Sequence, residues 1–172
     1  MSRLADDLLV LARADQGRLP LHPEPLDARE VLTVAAARAR AAAELRGRSI
    51  VVDEDMPALH AVQADRDRTA QALDNLVKNA LFYGEGTITL SASGGDHRIE
   101  LHVTDEGPGF SDGLLERAFE RFGRGDEARA GAPGSGLGLA LVEAIAVAQG
   151  GSAQARNREQ GGADVWIALP RA

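Results

Sequence analysis

Between Asp65 and Gly84 the chain reads DRDRTAQALDNLVKNALFYG, and Leu73, Leu76, Val77, Ala80 and Leu81 return at helical spacing. A segment with that period must bury one stripe against a second element, which predicts a helix over 66–83 with Asp65 as its N-cap. Two of the chain's three asparagines, Asn75 and Asn79, fall one turn apart on it, so both amides face the same way. Together with Phe82 they occupy the stripe opposite the apolar one, flanked by Lys78, the single lysine of the chain. For one helical asparagine a solvated surface position is the ordinary explanation. Other segments change that balance.

Ile99, Leu101 and Val103 alternate with Glu100, His102 and Thr104, the period of a half-buried strand. Asp105 falls on the apolar parity, and a carboxylate there is costly to bury unless something donates to it. Glu106-Gly107-Pro108-Gly109 follows at once; taken alone, DEGPGF also reads as an ordinary turn with a capping aspartate. Further on, Gly134-Ser135-Gly136-Leu137-Gly138 opens LGLALVEAIAVAQGG, apolar nearly all round and stopped by Gly150-Gly151. This predicts a buried helix whose glycine-rich start offers free N–H groups and the positive end of the helix dipole to phosphate oxygens. GSGLGL lacks the G-x-G-x-x-G spacing and follows no clear strand, so it is not a dinucleotide fingerprint.

The order of these segments is more specific than any one of them. An N-x-x-x-N helix, a strand ending in D-x-G-x-G, the pair of phenylalanines in FERF (Phe119 to Phe122) and G-x-G-x-G resemble the ATP-binding domain of sensor histidine kinases. They match that family's N, G1, F and G2 boxes in the family's order. The closing GGADVWIALP, Gly161 to Pro170, resembles the family's last strand, and the resemblance runs from about Leu26 to Pro170.

The resemblance implies an ATP site with Mg2+. In the family, the residue matching Asp105 accepts from the adenine amino group, and the one matching Asn79 gives a side-chain oxygen to Mg2+, a hard cation suited to oxygen ligands. Asn75 would support the phosphate side. Gly134, Gly136, Leu137 and Gly138 would bring backbone amides to the phosphates, Gly107 and Gly109 would leave room along the nucleotide, and Tyr83 would stand near the base. One position departs from the pattern: where the family commonly directs Lys or Arg at the phosphates, this chain has Phe82. Lys78, Arg124 and Arg129 are the candidate replacements. The loop from Gly123 to Gly134, polar and glycine-hinged, is expected to close over the nucleotide, with Phe119 and Phe122 packing its base.

Asn75 also sorts the chain within the wider superfold. The gyrase, chaperone and mismatch-repair ATPases and the anti-sigma serine kinases typically carry Glu there, which can act as a base, whereas an amide cannot. This argues for the histidine-kinase branch, where catalysis is mainly positioning and charge neutralisation. No phosphoacceptor is expected in the chain itself, because His22, His60, His97 and His102 all lack the acidic, Arg and Pro neighbours of the family's acceptor site. The four are expected to be structural.

Leu4, Leu8 and Leu11 form a stripe in SRLADDLLVLARADQG that resembles the end of the second helix of the family's dimerisation and phosphoacceptor hairpin. Such a short helix is marginal alone and could fray, dock on the domain or pair with a second chain. Expected boundaries are 1–19 for this helix, 20–26 for a linker and 27–172 for the catalytic ATP-binding domain. The implied partners are the parent kinase's own dimerisation and phosphoacceptor domain and a response-regulator receiver domain, with the parent a homodimer. The net charge of −7 and pI near 5.1 give no electrostatic footprint for nucleic acid. Without cysteine the chain can form neither disulfides nor thiolate metal sites. No uncharged apolar run approaches ~20 residues, so neither a membrane span nor membrane contact is expected, and the fragment is expected to be cytoplasmic even where the parent is membrane-anchored.

Helices are predicted at 3–15, 27–46 (Asp27 and Glu30 forming a capping box), 66–83, 112–118 and 137–149. Strands are predicted at 49–53, 60–64, 86–93, 97–105, 151–157 and 163–169, with a hairpin at Ser93-Gly94-Gly95-Asp96. The fold class is a two-layer α/β sandwich, a mixed sheet with helices on one face. Two functions follow: donation of the γ-phosphoryl group of Mg-ATP to a histidine outside the chain, or a nucleotide-sensing or interaction module of the same fold with little or no transfer.

Overall fold

The computed structural model describes residues 3–56, 61–95, 97–122 and 135–172. Its elements in chain order are α1 (Arg3–Asp15), β1 (Glu24–Leu26), α2 (Ala28–Glu44), β2 (Ile50–Val52), β3 (Val62–Ala64), α3 (Arg66–Tyr83), β4 (Ile88–Gly94), β5 (Arg98–Thr104), a 3-10 turn (Leu115–Arg117), α4 (Gly138–Ala148), β6 (Ser152–Asn157) and β7 (Ala163–Pro170). Five strands form one sheet in the order β2-β4-β5-β7-β6, with β2 parallel to β4 and every other pair antiparallel. The mixed sheet with helices against it is the sandwich expected from the sequence.

Alternation decides which face is covered. Ile88 and Leu90 of β4, Ile99, Leu101 and Val103 of β5, and Val165, Ile167 and Leu169 of β7 enter a core with Leu73, Leu76 and Val77 of α3 and Leu141 and Ile145 of α4. The opposite face carries polar side chains, among them Ser93, Glu100, His102, Asp164 and Arg156. Asp65 caps α3, accepting from the Arg68 N–H at 2.9 Å and the His22 N–H at 2.7 Å. Burial alone would raise its carboxyl pKa, but these backbone hydrogen bonds and the nearby Arg68 charge outweigh burial and lower it.

Several expectations change in detail. The 20–26 stretch, read as linker, carries β1, which pairs antiparallel with β3 in a separate two-stranded ribbon. Only half of the α2 capping box forms: Asp27 accepts from Glu30 N–H at 2.8 Å, but the Glu30 carboxylate turns to Arg66 at 3.0 Å. The predicted 112–118 helix is reduced to the 3-10 turn, because Gly113 adopts φ +76 and breaks the helical run. The β4–β5 hairpin closes with Gly94 opposite Ile99, while Asp96 and His60, the first residue of the predicted 60–64 strand, lie outside the described residues.

Helix α1 docks on the domain, one of the three fates expected of it. Val10 and Leu11 are buried against the domain, where α1 packs on α4, and Arg121 Nη2 reaches both carboxylate oxygens of Asp15 at 2.6 Å. The predicted stripe therefore splits: Leu11 is core, whereas Leu4 and Leu8 stay exposed beside Leu9.

Candidate functional site

Asp105 stands two residues past Val103, so the same alternation that buries the β5 row carries its carboxylate to the helix side. It is 5% exposed. Its backbone is fastened twice, the N–H donating to the Ala163 carbonyl at 3.0 Å and the carbonyl accepting from Arg158 Nη1 at 2.6 Å. Oδ1 accepts from the Gly107 N–H at 2.8 Å, and Oδ2 has no hydrogen-bond partner among the described residues. Oδ2 is not among the buried atoms without a partner, so it opens to the surface of the site, where a donor can reach it.

Two glycines permit that placement. Gly84, directly after α3, lies so close that a Cβ would overlap the Asp105 carboxylate. Gly162 adopts φ +89, and a Cβ there would overlap the Asp105 carbonyl. The second half of the site lies along α3. Asn75 donates its Nδ2 to the Gln71 carbonyl at 3.1 Å, which leaves Oδ1 facing the start of α4, 3.8 Å from where a Gly138 Cβ would stand. Asn79, half-buried, follows one turn on toward Gly84. From Asn75 to Gly84 the helix advances roughly 13 Å.

The start of α4 is open. Among the described residues no side chain caps its first turn, so its leading N–H groups remain available, while the Leu137 N–H just before it donates to Ser135 Oγ at 3.4 Å and Gly136 holds φ +69. The Gly136 carbonyl accepts from Phe122 N–H at 2.9 Å, which ties the FERF segment to the glycine-rich one. Leu137 has a fully buried side chain, so only its backbone can face a ligand. Gly107 is buried and Gly109 half-buried on the loop after Asp105, and Tyr83 is 43% exposed at the end of α3. Gly134, Arg124 and Arg129 lie outside the described residues.

Two expectations need correction. Phe82 does not continue the amide row: its ring lies under the Arg46 guanidinium, 4.6 Å from the centroid, and so faces α2. Phe122 does not pack like Phe119, which joins the core; it is 66% exposed and holds φ +59, the single described non-glycine residue with positive φ. The sequence reading also missed three positioning groups. Arg48 and Arg158 bind backbone carbonyls around Asp105, and Asn157 holds Phe110 through both its N–H, at 2.7 Å, and its carbonyl, at 2.9 Å. None has a local signal, because each partner is distant in sequence.

A cavity of about 550 Å3 lies elsewhere, between α1 and α4. Its charged lining is Asp15, Arg121 and Glu143, and the first two already satisfy each other. The candidate functional site is at Asp105 instead, because Asp105 Oδ2 and Asn75 Oδ1 accept no hydrogen bond among the described residues and Asn75 Oδ1 lies beside the start of α4.

A mixed sheet that delivers one buried carboxylate to a helix bearing two aligned amides, opposite a glycine-rich helix start, defines the GHKL-type ATP-binding fold. The family model described as "Histidine kinase-, DNA gyrase B-, and HSP90-like ATPase" matches residues 64–172, and the chain belongs to that family. It is 39% identical over 171 residues to a Mycobacterium tuberculosis (strain CDC 1551 / Oshkosh) protein described as "Probable sensor histidine kinase HK", covering 99% of this chain and 43% of that protein. To the signal transduction histidine-protein kinase BaeS of Escherichia coli (strain K12) it is 35% identical, over 99% of this chain and 37% of BaeS. The crystal structure of full-length ShkA in complex with AMPPNP superposes with a TM-score of 0.85 at 32% identity, over 98% of this chain and 35% of ShkA. The chain thus spans well under half of these relatives, and what it shares with them is the catalytic, ATP-binding domain of a sensor histidine kinase.

Proposed function

We propose that this domain binds Mg-ATP along α3 and donates the γ-phosphoryl group to a histidine outside the chain. The observation that carries the reading is the pairing of two open oxygens: Asp105 Oδ2, which accepts no hydrogen bond among the described residues, and Asn75 Oδ1, beside the start of α4. Asp105 accepts from the adenine amino group, with Gly107 N–H holding its other oxygen in place. The N–H groups at Gly136 to Gly138 and the α4 dipole take the β- and γ-phosphates. Asn79 supplies one oxygen to Mg2+. Among the described residues no cluster of three or more His, Asp or Glu side chains could hold a metal, so the ion's remaining ligands would be phosphate oxygens and water.

Transfer breaks the bond between γ-phosphorus and the β–γ bridging oxygen while an imidazole nitrogen of the acceptor bonds to that phosphorus, and the imidazole proton leaves to solvent. ADP is the product. No residue of this chain needs to act as a base, in keeping with an amide at position 75. The domain's contribution is alignment and charge neutralisation. In the parent, residues 1–19 end the helix of the dimerisation and phosphoacceptor hairpin and 20–26 lead from it into the catalytic domain of 27–172, their last three already paired with β3 as β1, with a homodimeric partner and a receiver domain downstream. Arg124, Arg129 and Lys78 are the candidate phosphate-side cations.

The nucleotide-sensing alternative has one observation in its favour, the place of Phe82 beneath Arg46 where the kinases it resembles carry a cation for the phosphates. Titrating ADP and AMPPNP with and without Mg2+, then adding an isolated phosphoacceptor hairpin with ATP and following acid-labile phosphate, separates the two. Kinase function requires Mg2+-dependent binding and transfer; binding without transfer selects the sensor, and no binding at millimolar nucleotide contradicts both.

A further inference from the structure

Arg48 sits in the turn between α2 and β2, remote in sequence from every residue of the site, yet it makes four hydrogen bonds to the end of α3 and the residues just after it. Nη1 donates to the carbonyls of Ala80 at 2.5 Å and Gly84 at 3.0 Å, Nη2 to Glu85 at 2.7 Å and Nε to Gly86 at 2.9 Å. Helix α3 has no basic side chain in its last turn, so this guanidinium supplies the C-terminal charge from outside. The planar fork matters, because a lysine ammonium cannot reach these carbonyls in one fixed geometry.

The carbonyls it holds belong to the segment that touches Asp105. The Glu85 carbonyl accepts at once from Arg48 and from Glu106 N–H at 3.0 Å, and Gly84 abuts the Asp105 carboxylate. Thr87 N–H donates to Glu106 Oε2 at 2.8 Å, a second tie across the same seam. Burial pulls the Arg48 pKa down, while Asp105, Glu85 and Glu106 push it back. We propose that Arg48 is a positioning residue for base recognition: it clamps residues 84–86 against Asp105 and Glu106 and so fixes where the open carboxylate oxygen points. This rests on the reading of Asp105 as the adenine acceptor.

The test compares ADP with IDP, whose base carries an oxo group in place of the exocyclic amine. Wild-type chain, Arg48→Lys, Arg48→Met and the remote control Arg66→Lys are titrated calorimetrically with each diphosphate in Mg2+, with melting temperature measured alongside. Arg66 pairs with Glu24 and Glu30 on the surface and touches no site residue. Expected is a fall of about tenfold in the ADP-over-IDP preference of Arg48→Lys, a hydrogen bond to a charged group being of that size. IDP affinity should change less than twofold, and the control should keep the wild-type ratio. Hydrogen exchange at the Glu106 amide should quicken in Arg48→Lys, a readout that holds even if Arg48→Met does not fold. An unchanged ratio, or equal losses for ADP and IDP, overturns the positioning role and leaves Asp105 as acceptor. A wild-type chain that binds ADP and IDP alike overturns the adenine reading itself, and the proposal with it.

Discussion

Asp105, one residue past the end of β5, and Asp164, on the neighbouring β7, are almost equally buried, at 5% and 3% exposure, but they face opposite sides and are treated in opposite ways. On the outer face Asp164 is saturated: Oδ1 meets His102 Nδ1 at 2.9 Å, and Oδ2 accepts from Arg156 Nε at 3.0 Å and Nη2 at 2.8 Å. Trp166 stacks on His102, while Ser93 and Glu100 approach its other ring nitrogen at 3.2 and 3.4 Å. On the helix side Asp105 receives one backbone N–H and keeps an oxygen open. The first carboxylate is finished by the fold. The second keeps an acceptor free, and that contrast, more than depth of burial, is why we propose Asp164 as a structural aspartate and Asp105 as a binding one.

The contrast can be broken by substitution. The largest effect is expected from Asp164→Ala, which leaves the buried His102 Nδ1 without its partner and should lower unfolding free energy by about 3 kcal/mol in urea titrations, leaving nucleotide affinity per folded molecule unchanged. Next, Asp105→Asn should weaken ADP binding by about 1.5–3 kcal/mol in calorimetry with little loss of thermal stability, since the fold never completed that carboxylate.

A smaller effect is pH dependence. Burial alone would raise the Asp164 carboxyl, but the hydrogen bond and charge of His102, with those of Arg156, outweigh it and hold the group below its ordinary value. Its contribution is therefore complete above the unfolded carboxylate pKa of about 3.9 and is lost as pH falls through the lower folded value. Stability measured from pH 5 downward should drop more steeply in wild type than in Asp164→Asn. Smallest is Arg46→Ala, which removes the cation over Phe82 and should cost about 0.5–1 kcal/mol of stability by chemical denaturation.

Much of the site was legible because its residues obey a local period. Helical spacing alone aligned Asn75 with Asn79, and strand alternation alone turned Asp105 inward. What escaped depends on partners far along the chain. β1 is three residues long, contains Pro25 and shows no alternation; it exists because β3, some forty residues later, offers a ribbon partner. Phe82 was assigned to the amide stripe by its own helix, but its ring lies against Arg46 in the turn after α2. Arg48 follows a glycine in a turn, an unremarkable surface position until α3 ends beside it. Local periodicity reveals which side chains are presented, but not which distant group holds them still.

The most direct test is a crystal structure of this chain with ADP and Mg2+. Asp105 Oδ2 should lie within about 3 Å of the adenine exocyclic nitrogen, with the diphosphate at the Gly136 to Gly138 amides. A purine bound in the α1–α4 cavity, or anywhere else that leaves Asp105 Oδ2 without a donor, would contradict that assignment.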